Sequence, residues 1–140
     1  MTTDYTISDD KKKLDLDVIH QFLSEEAYWC KNIPIEIVKR SIDNSLCFGV
    51  YQGSNQVGFA RVITDMATFG YLADVFILPQ HRAKGLSKQL VAFIKAYPAL
   101  QGLRRMMLFT LDAHSIYTQF GFAPVENPEN LLAIKAFTAY

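Results

Sequence analysis

Residues 71–97 read YLADVFILPQHRAKGLSKQLVAFIKAY, and the fold follows from the change of period inside this stretch. Leu72 to Leu78 is apolar except for Asp74 and carries the Val, Phe and Ile of a buried strand. Pro79 ends it, because proline cannot donate to a sheet ladder. A basic turn follows, His81-Arg82-Ala83-Lys84-Gly85, and beyond it Leu86, Leu90, Ile94 and Tyr97 recur at helical spacing as far as Pro98. A small, basic turn that opens a helix is suited to an anion. The first N–H groups of a helix lack partners inside it, its dipole is positive at that end, and successive turn amides form a concave nest. Ala83 and Gly85 let the backbone come close to a ligand, and Arg82, Lys84 and Lys88 add charge.

The rest of the chain reads outward from this unit. Tyr5-Thr6-Ile7 predicts a first edge strand. Asp15 or Asp17 caps a helix running to about Ala27, with Val18, Ile19, Phe22 and Leu23 on its apolar face. Pro34 suits the first turn of a second helix running to about Asn44. Leu46 to Tyr51, a turn at Gln52-Gly53-Ser54-Asn55, and Gln56 to Thr64 predict a hairpin, and a second turn through Asp65-Met66-Ala67 leads into the central strand. Arg104 to Thr110 is a further strand. It makes residues 71–110 a right-handed βαβ unit with parallel strands. Asp112 is placed to cap a short helix, Gly121 to end it, and Leu131 to Phe137 is predicted as a last strand.

The totals bound the class. The 140 residues are 50% hydrophobic and 20% charged, which predicts a single domain over 1–140 with a sizeable core. There is no apolar run long enough for a membrane helix and no apolar core of a signal peptide near the N-terminus, so no membrane association is expected. Cys30 and Cys47 fit neither a disulfide framework nor a metal cluster; no metal is expected, and a reducing, cytoplasmic setting is. The formal net charge of zero argues against nucleic acid as partner. The charge is nevertheless segregated. Residues 75–111 hold six basic residues and no acidic one, whereas residues 1–74 hold seven basic and eleven acidic. The cationic segment coincides with the proposed anion site, and the acidic excess lies where a cationic substrate would approach.

Arg82-Ala83-Lys84-Gly85-Leu86-Ser87 resembles the pyrophosphate loop of the GNAT superfamily, the acyl-CoA-dependent N-acyltransferases, with Ala83 in place of a common glycine and Ser87 in place of the final Gly or Ala. A second stretch, Ile116-Tyr117-Thr118-Gln119-Phe120-Gly121-Phe122, resembles the aromatic-Tyr-x-x-aromatic-Gly-Phe element of the same superfamily, in the expected order. An asparagine often found seven residues before this tyrosine is Thr110 here. The resemblance implies an α/β (α+β) GNAT fold: a mixed central sheet of about six to seven strands, two parallel strands splayed apart, and about four flanking helices.

It further implies that acetyl-CoA is the acyl donor. Its diphosphate would lie on Arg82, Ala83, Lys84, Gly85, Leu86, Ser87 and Lys88, and its pantetheine arm along the backbone of Val75, Phe76 and Ile77, paired like an added strand. A bulge is expected there, with an N–H near Val75 or Phe76 facing the acetyl carbonyl. Tyr117 matches the tyrosine near the thioester sulfur and is implied as general acid. Asp74, the one charge inside the central strand, reads either as a group that attracts or deprotonates the amine or as a structural hydrogen-bonded carboxylate. Phe22, Tyr28 and Trp29 read either as walls of the acceptor pocket or as packing of the helical hairpin on the sheet. The implied function is N-acetyl transfer to a primary amine of a small molecule or protein, by direct attack. The alternative is a non-catalytic acyl-CoA-binding or regulatory module on the same fold. The resemblance also leaves room for a homodimer.

Overall fold

The computed structural model describes residues 4–140. Its five strands are β1 (Tyr5–Ser8), β2 (Leu46–Gln52), β3 (Asn55–Thr64), β4 (Phe69–Ile77) and β5 (Arg105–Leu108), and its α-helices are α1 (Leu16–Gln21), α2 (Ile35–Asp43), α3 (Leu86–Lys95) and α4 (His114–Thr118). One sheet holds all five strands in the order β1-β2-β3-β4-β5, antiparallel throughout except for the parallel pair β4–β5. The expected six to seven strands are therefore corrected to five. Leu131 to Phe137 has strand-like composition, yet it forms no strand: it lies along no sheet edge, and Leu132 and Ile134 are 94% and 100% exposed. Composition alone does not make a strand without a partner to pair with.

Strand alternation divides the core into two layers. Cys47, Phe59 and Phe76 face α1 and α2, where they meet Ile19, Leu23, Val38 and Ile42. Phe48, Ala60 and Ile77 face the other way, against Leu86, Leu90 and Ile94 of α3. Phe48 is completely buried and meets Tyr97 edge-on at 5.1 Å. The Tyr97 hydroxyl donates to Asp9 at 2.6 Å and ties the end of α3 to the segment after β1.

Local chemistry sets the element ends. The Asp15 carboxylate accepts from the amides of Asp17 and Val18 at the start of α1. After Gln21 the helix widens into a π-turn, Phe22–Glu26, closed by the Ala27 amide on the Phe22 carbonyl at 3.0 Å. Pro34 stands at the N-cap of α2, one residue before its first turn. In the β3–β4 turn the Asp65 carboxylate accepts from the amides of Thr68, Ala67 and Phe69 and from the Thr68 hydroxyl, which holds its pKa well below the usual carboxylate range. Asp112 does not cap α4 as expected. Ala113 takes that position, and its amide donates to the Thr110 hydroxyl at 3.1 Å. Gly121, at φ +95°, ends the helix as its sequence position implied.

On both of its sides β4 pairs incompletely. Its ladder with β5 covers only Phe69–Leu72 against Arg105–Leu108, so the two strands part beyond Leu72. On its β3 side the register jumps from Phe59↔Phe76 to Arg61↔Ala73, so Asp74 and Val75 together oppose the single residue Ala60. That is a β-bulge in β4, and Asp74 within it adopts φ +56°. No helix among the described residues is long and apolar enough to cross a membrane.

Candidate active site

The turn between β4 and α3 is built to leave amides free. Pro79–His81 forms a 3-10 turn, Ala83 and Gly85 both stand in the left-handed region (φ +62° and +77°), and α3 starts without a side-chain cap. Among the described residues, no protein acceptor takes the amides of Ala83, Lys84, Gly85, Leu86, Ser87 or Lys88. All of these residues but Lys84 border a cleft of about 310 Å³ lined by Ile77, Arg82, Ala83, Gly85, Ser87 and Lys88, with His81, Leu86 and Ile116 completing it. Free turn amides at a helix start suit an anion, which the positive end of the helix dipole also favours. Arg82 lines the cleft while its Nε donates to the Ile77 carbonyl at 2.9 Å, which fixes the turn to the end of β4. Lys84 is exposed and stands outside the cleft lining. His81 is held by Tyr5 of β1, oxygen to Nδ1 at 2.8 Å.

The gap between β4 and β5 opens toward this cleft, with the bulge at its mouth. Val75 is half-buried, and Phe76 and Ile77 are buried on opposite faces of the sheet. Phe76 can contribute to the gap only through its backbone, since its ring is stacked on Phe22 at 4.1 Å. Phe22 itself is 6% exposed and lies in the core cluster with Ile19 and Leu23.

Tyr28 and Trp29 instead remain on the surface, 51% and 42% exposed, meeting edge-on at 5.0 Å. The Trp29 indole Nε1 donates to Asp74 Oδ1 at 2.9 Å, and Arg61 Nε donates to Asp74 Oδ2 at 2.7 Å. Both oxygens of the lone strand carboxylate are thus engaged. Arg61 Nη1 also donates to the Ser45 hydroxyl at 3.1 Å.

Arg61 is absent from the sequence-derived site, although a signal was there. It is the one charge in a strand reading NQVGFARVIT, beside a strand with one charge of opposite sign, and a buried cation requires such a partner.

Tyr117, on α4, packs against the α3 layer and meets Phe122 edge-on at 5.9 Å. Burial, then the Asp112 carboxylate and Tyr28, raise its phenol above the ordinary tyrosine pKa. No hydrogen bond to another group contributes to that shift. Lys95 Nζ donates to the Phe120 carbonyl at 2.5 Å, which fastens the end of α4 to α3. His114 is exposed at the start of α4, and His20 is occupied by the Ile33 carbonyl at 2.9 Å. The described residues contain no group of three or more His, Cys, Asp or Glu placed to hold a metal.

A parallel strand pair that splays beside a bulge, with an anion nest at the head of the crossover helix, is the GNAT architecture. The sequence comparison agrees. Residues 16–122 match the acetyltransferase (GNAT) family. A candidate acetyltransferase of Gibberella zeae is 34% identical over 136 residues, covering 81% of this chain and 76% of that protein. The crystal structure of a candidate GNAT-family acetyltransferase from Xanthomonas campestris pv. campestris superposes with a TM-score of 0.92 at 48% identity, covering 94% of this chain and 93% of that one. At 13% identity, the fold alone is shared with a candidate acetyltransferase from Clostridium acetobutylicum solved with acetyl-CoA, at a TM-score of 0.70 and 94% coverage of both chains. The chain belongs to the acetyltransferase (GNAT) family.

Proposed function

We propose that this chain is an acetyl-CoA-dependent N-acetyltransferase that acts, as a single domain, on a primary amine of a small molecule or protein. The observation that carries this reading is the set of unclaimed amides around Gly85, those of Ala83, Gly85, Leu86, Ser87 and Lys88 on residues that line a cleft beyond the paired part of β4 and β5. The coenzyme diphosphate would be held by that nest with Ser87 and Lys88, and the pantetheine arm would lie against the backbone of Val75, Phe76 and Ile77.

The transfer is direct. The amine nitrogen attacks the thioester carbonyl, the C–N bond forms, the C–S bond breaks, the departing sulfur takes the Tyr117 proton, and the proton shed by the nitrogen passes through solvent to restore the phenol. A bulge amide near Val75 or Phe76 stabilises the oxyanion formed on the way. An alkylamine, with a pKa of about 10.4, must give up a proton before it attacks.

The test is release of free thiol from acetyl-CoA in the presence of an amine panel, with coenzyme A binding followed separately by calorimetry. The protein's own thiols do not confuse the readout. Burial above all pushes Cys30 to about 12 and Cys47 to about 11, so both stay protonated and poorly reactive at assay pH. Heat with coenzyme A but no thiol release with any amine would favour the non-catalytic binding module instead.

Gly85→Ala probes the nest. No protein atom lies within 4 Å of an added Cβ, so the penalty is the left-handed backbone alone, about 1–2 kcal/mol. The strain is relieved if the free turn relaxes out of the left-handed region and must be restored on binding, so the variant is expected to bind coenzyme A up to roughly tenfold more weakly. Unchanged affinity would remove the turn from the binding site.

A further inference from the structure

We propose that Arg61 and Trp29 are positioning residues of the transfer step, acting through Asp74 to fix the β4 bulge at the mouth of the β4–β5 gap. The inference rests on the transferase reading and assigns three side chains that the bond-making and proton-transfer steps do not use. Asp74 holds φ +56°, a left-handed conformation that costs an L-residue energy, less for Asp and Asn than for others, and that side-chain contacts help to hold.

Those contacts are visible. Trp29 grips one carboxylate oxygen and Arg61 the other, at 2.9 and 2.7 Å. Arg61 is itself anchored on Ser45, whose hydroxyl donates to the Ser41 carbonyl at 2.7 Å. The line of contacts runs from the loop after the π-turn, across the bulge, through β3 to the last turn of α2.

The bulge lies where pairing with β5 has ended, so the orientation of its peptide planes is set by Asp74 and not by a neighbouring strand on that side. With both oxygens engaged and its charge paired, Asp74 is poorly placed to take a proton from the amine. Its chemistry suits a clamp. Trp29 sits on the exposed aromatic loop, so the same indole joins the acceptor side of the site to the thioester side.

Trp29 is the sole tryptophan, which makes its emission a reporter of this one contact. The experiment uses the whole chain. Wild type, Trp29→Phe, Trp29→His and Asp74→Asn are compared for melting temperature, calorimetric coenzyme A affinity, kcat, and KM for a working amine. Trp29→Phe keeps a ring but loses the N–H, and its kcat is expected to fall roughly tenfold while melting temperature and coenzyme affinity hold. Trp29→His, which restores a ring N–H, is expected to recover part of that loss. In the wild type, acetyl-CoA is expected to shift the Trp29 emission. In Asp74→Asn the shift is expected to vanish while the heat of binding remains.

An unchanged kcat in Trp29→Phe, or a raised amine KM with kcat intact, overturns the proposal and leaves Trp29 as a pocket wall. Emission that does not move at saturating acetyl-CoA also overturns it. A wild type that gives no heat with coenzyme A removes the transferase reading and this inference together, whereas heat without these effects removes only this one.

Discussion

Arg61→Ala is expected to lose about 3–5 kcal/mol of folding stability, seen as a fall of roughly 10–20 °C in Tm. The reason is less the attraction that is lost than the anion left behind. The side chains of Arg61 and Asp74 are only 16% and 11% exposed, so removing the guanidinium leaves a carboxylate in a site that water barely reaches. Ser45, 8% exposed, loses its donor at the same time. A second ion pair in the molecule gives the contrast. Lys39 and Asp43 lie 3.3 Å apart on α2 with side chains 64% and 58% exposed, so Lys39→Ala should change stability by about 0.5 kcal/mol or less. The double variant Arg61→Met, Asp74→Asn should be more stable than Arg61→Ala, because asparagine tolerates the left-handed backbone and carries no charge to strand. Denaturant melts of the four proteins decide the matter. Equal losses in Arg61→Ala and Lys39→Ala would mean that the Arg61–Asp74 pair is solvated after all.

Tyr117→Phe is expected to lower kcat by about 10²-fold or more while leaving coenzyme A affinity and Tm close to wild type. The ring keeps its edge-on contact with Phe122, so the change removes the proton and little else. The pH profile adds an independent check. Burial, followed by Asp112 and Tyr28, favours the neutral phenol, so its pKa lies above the ordinary tyrosine value of about 10. Tyr117 therefore stays a proton donor through the neutral range, and the loss of activity due to its ionisation falls on the alkaline side, above that value. The limb should be missing from the residual activity of Tyr117→Phe. Full activity in the variant would take Tyr117 out of the chemistry and leave the phenol as packing.

Much of the fold is legible in the residues alone, for physical reasons that differ from place to place. The β4–α3 unit is readable because its apolar period changes from 2 to 3.6 across a turn with few conformational choices. The β2–β3–β4 meander is readable because Gly53 and Asp65 sit at its turns, and Asp65 works through its own side chain. The last strand is not, because Leu131 to Phe137 has suitable residues but no edge to join. For Phe22 a helix period says only that the residue faces inward; its stack on Phe76 is set by tertiary packing that the period does not carry. The Arg61–Asp74–Trp29 contacts span residues far apart in sequence, and only the register of β3 on β4 brings them together. Two lone, opposite charges in neighbouring apolar strands are nonetheless a readable hint.

The order of the sheet also says how the chain can reach it. Every strand lies next to its predecessor in sequence, yet only β2, β3 and β4 join through loops of a few residues; the steps from β1 to β2 and from β4 to β5 each run through helices. Closing short loops costs little entropy, whereas a parallel crossover commits a long one. The β2–β3–β4 ribbon is expected to assemble early, and the β4–β5 seam after it. Pulse-labelled amide exchange during refolding would show Phe59 and Phe48 protected before Met106, and the reverse order would refute it. The groove proposed to receive the thioester would then take shape only after the ribbon that forms one of its walls.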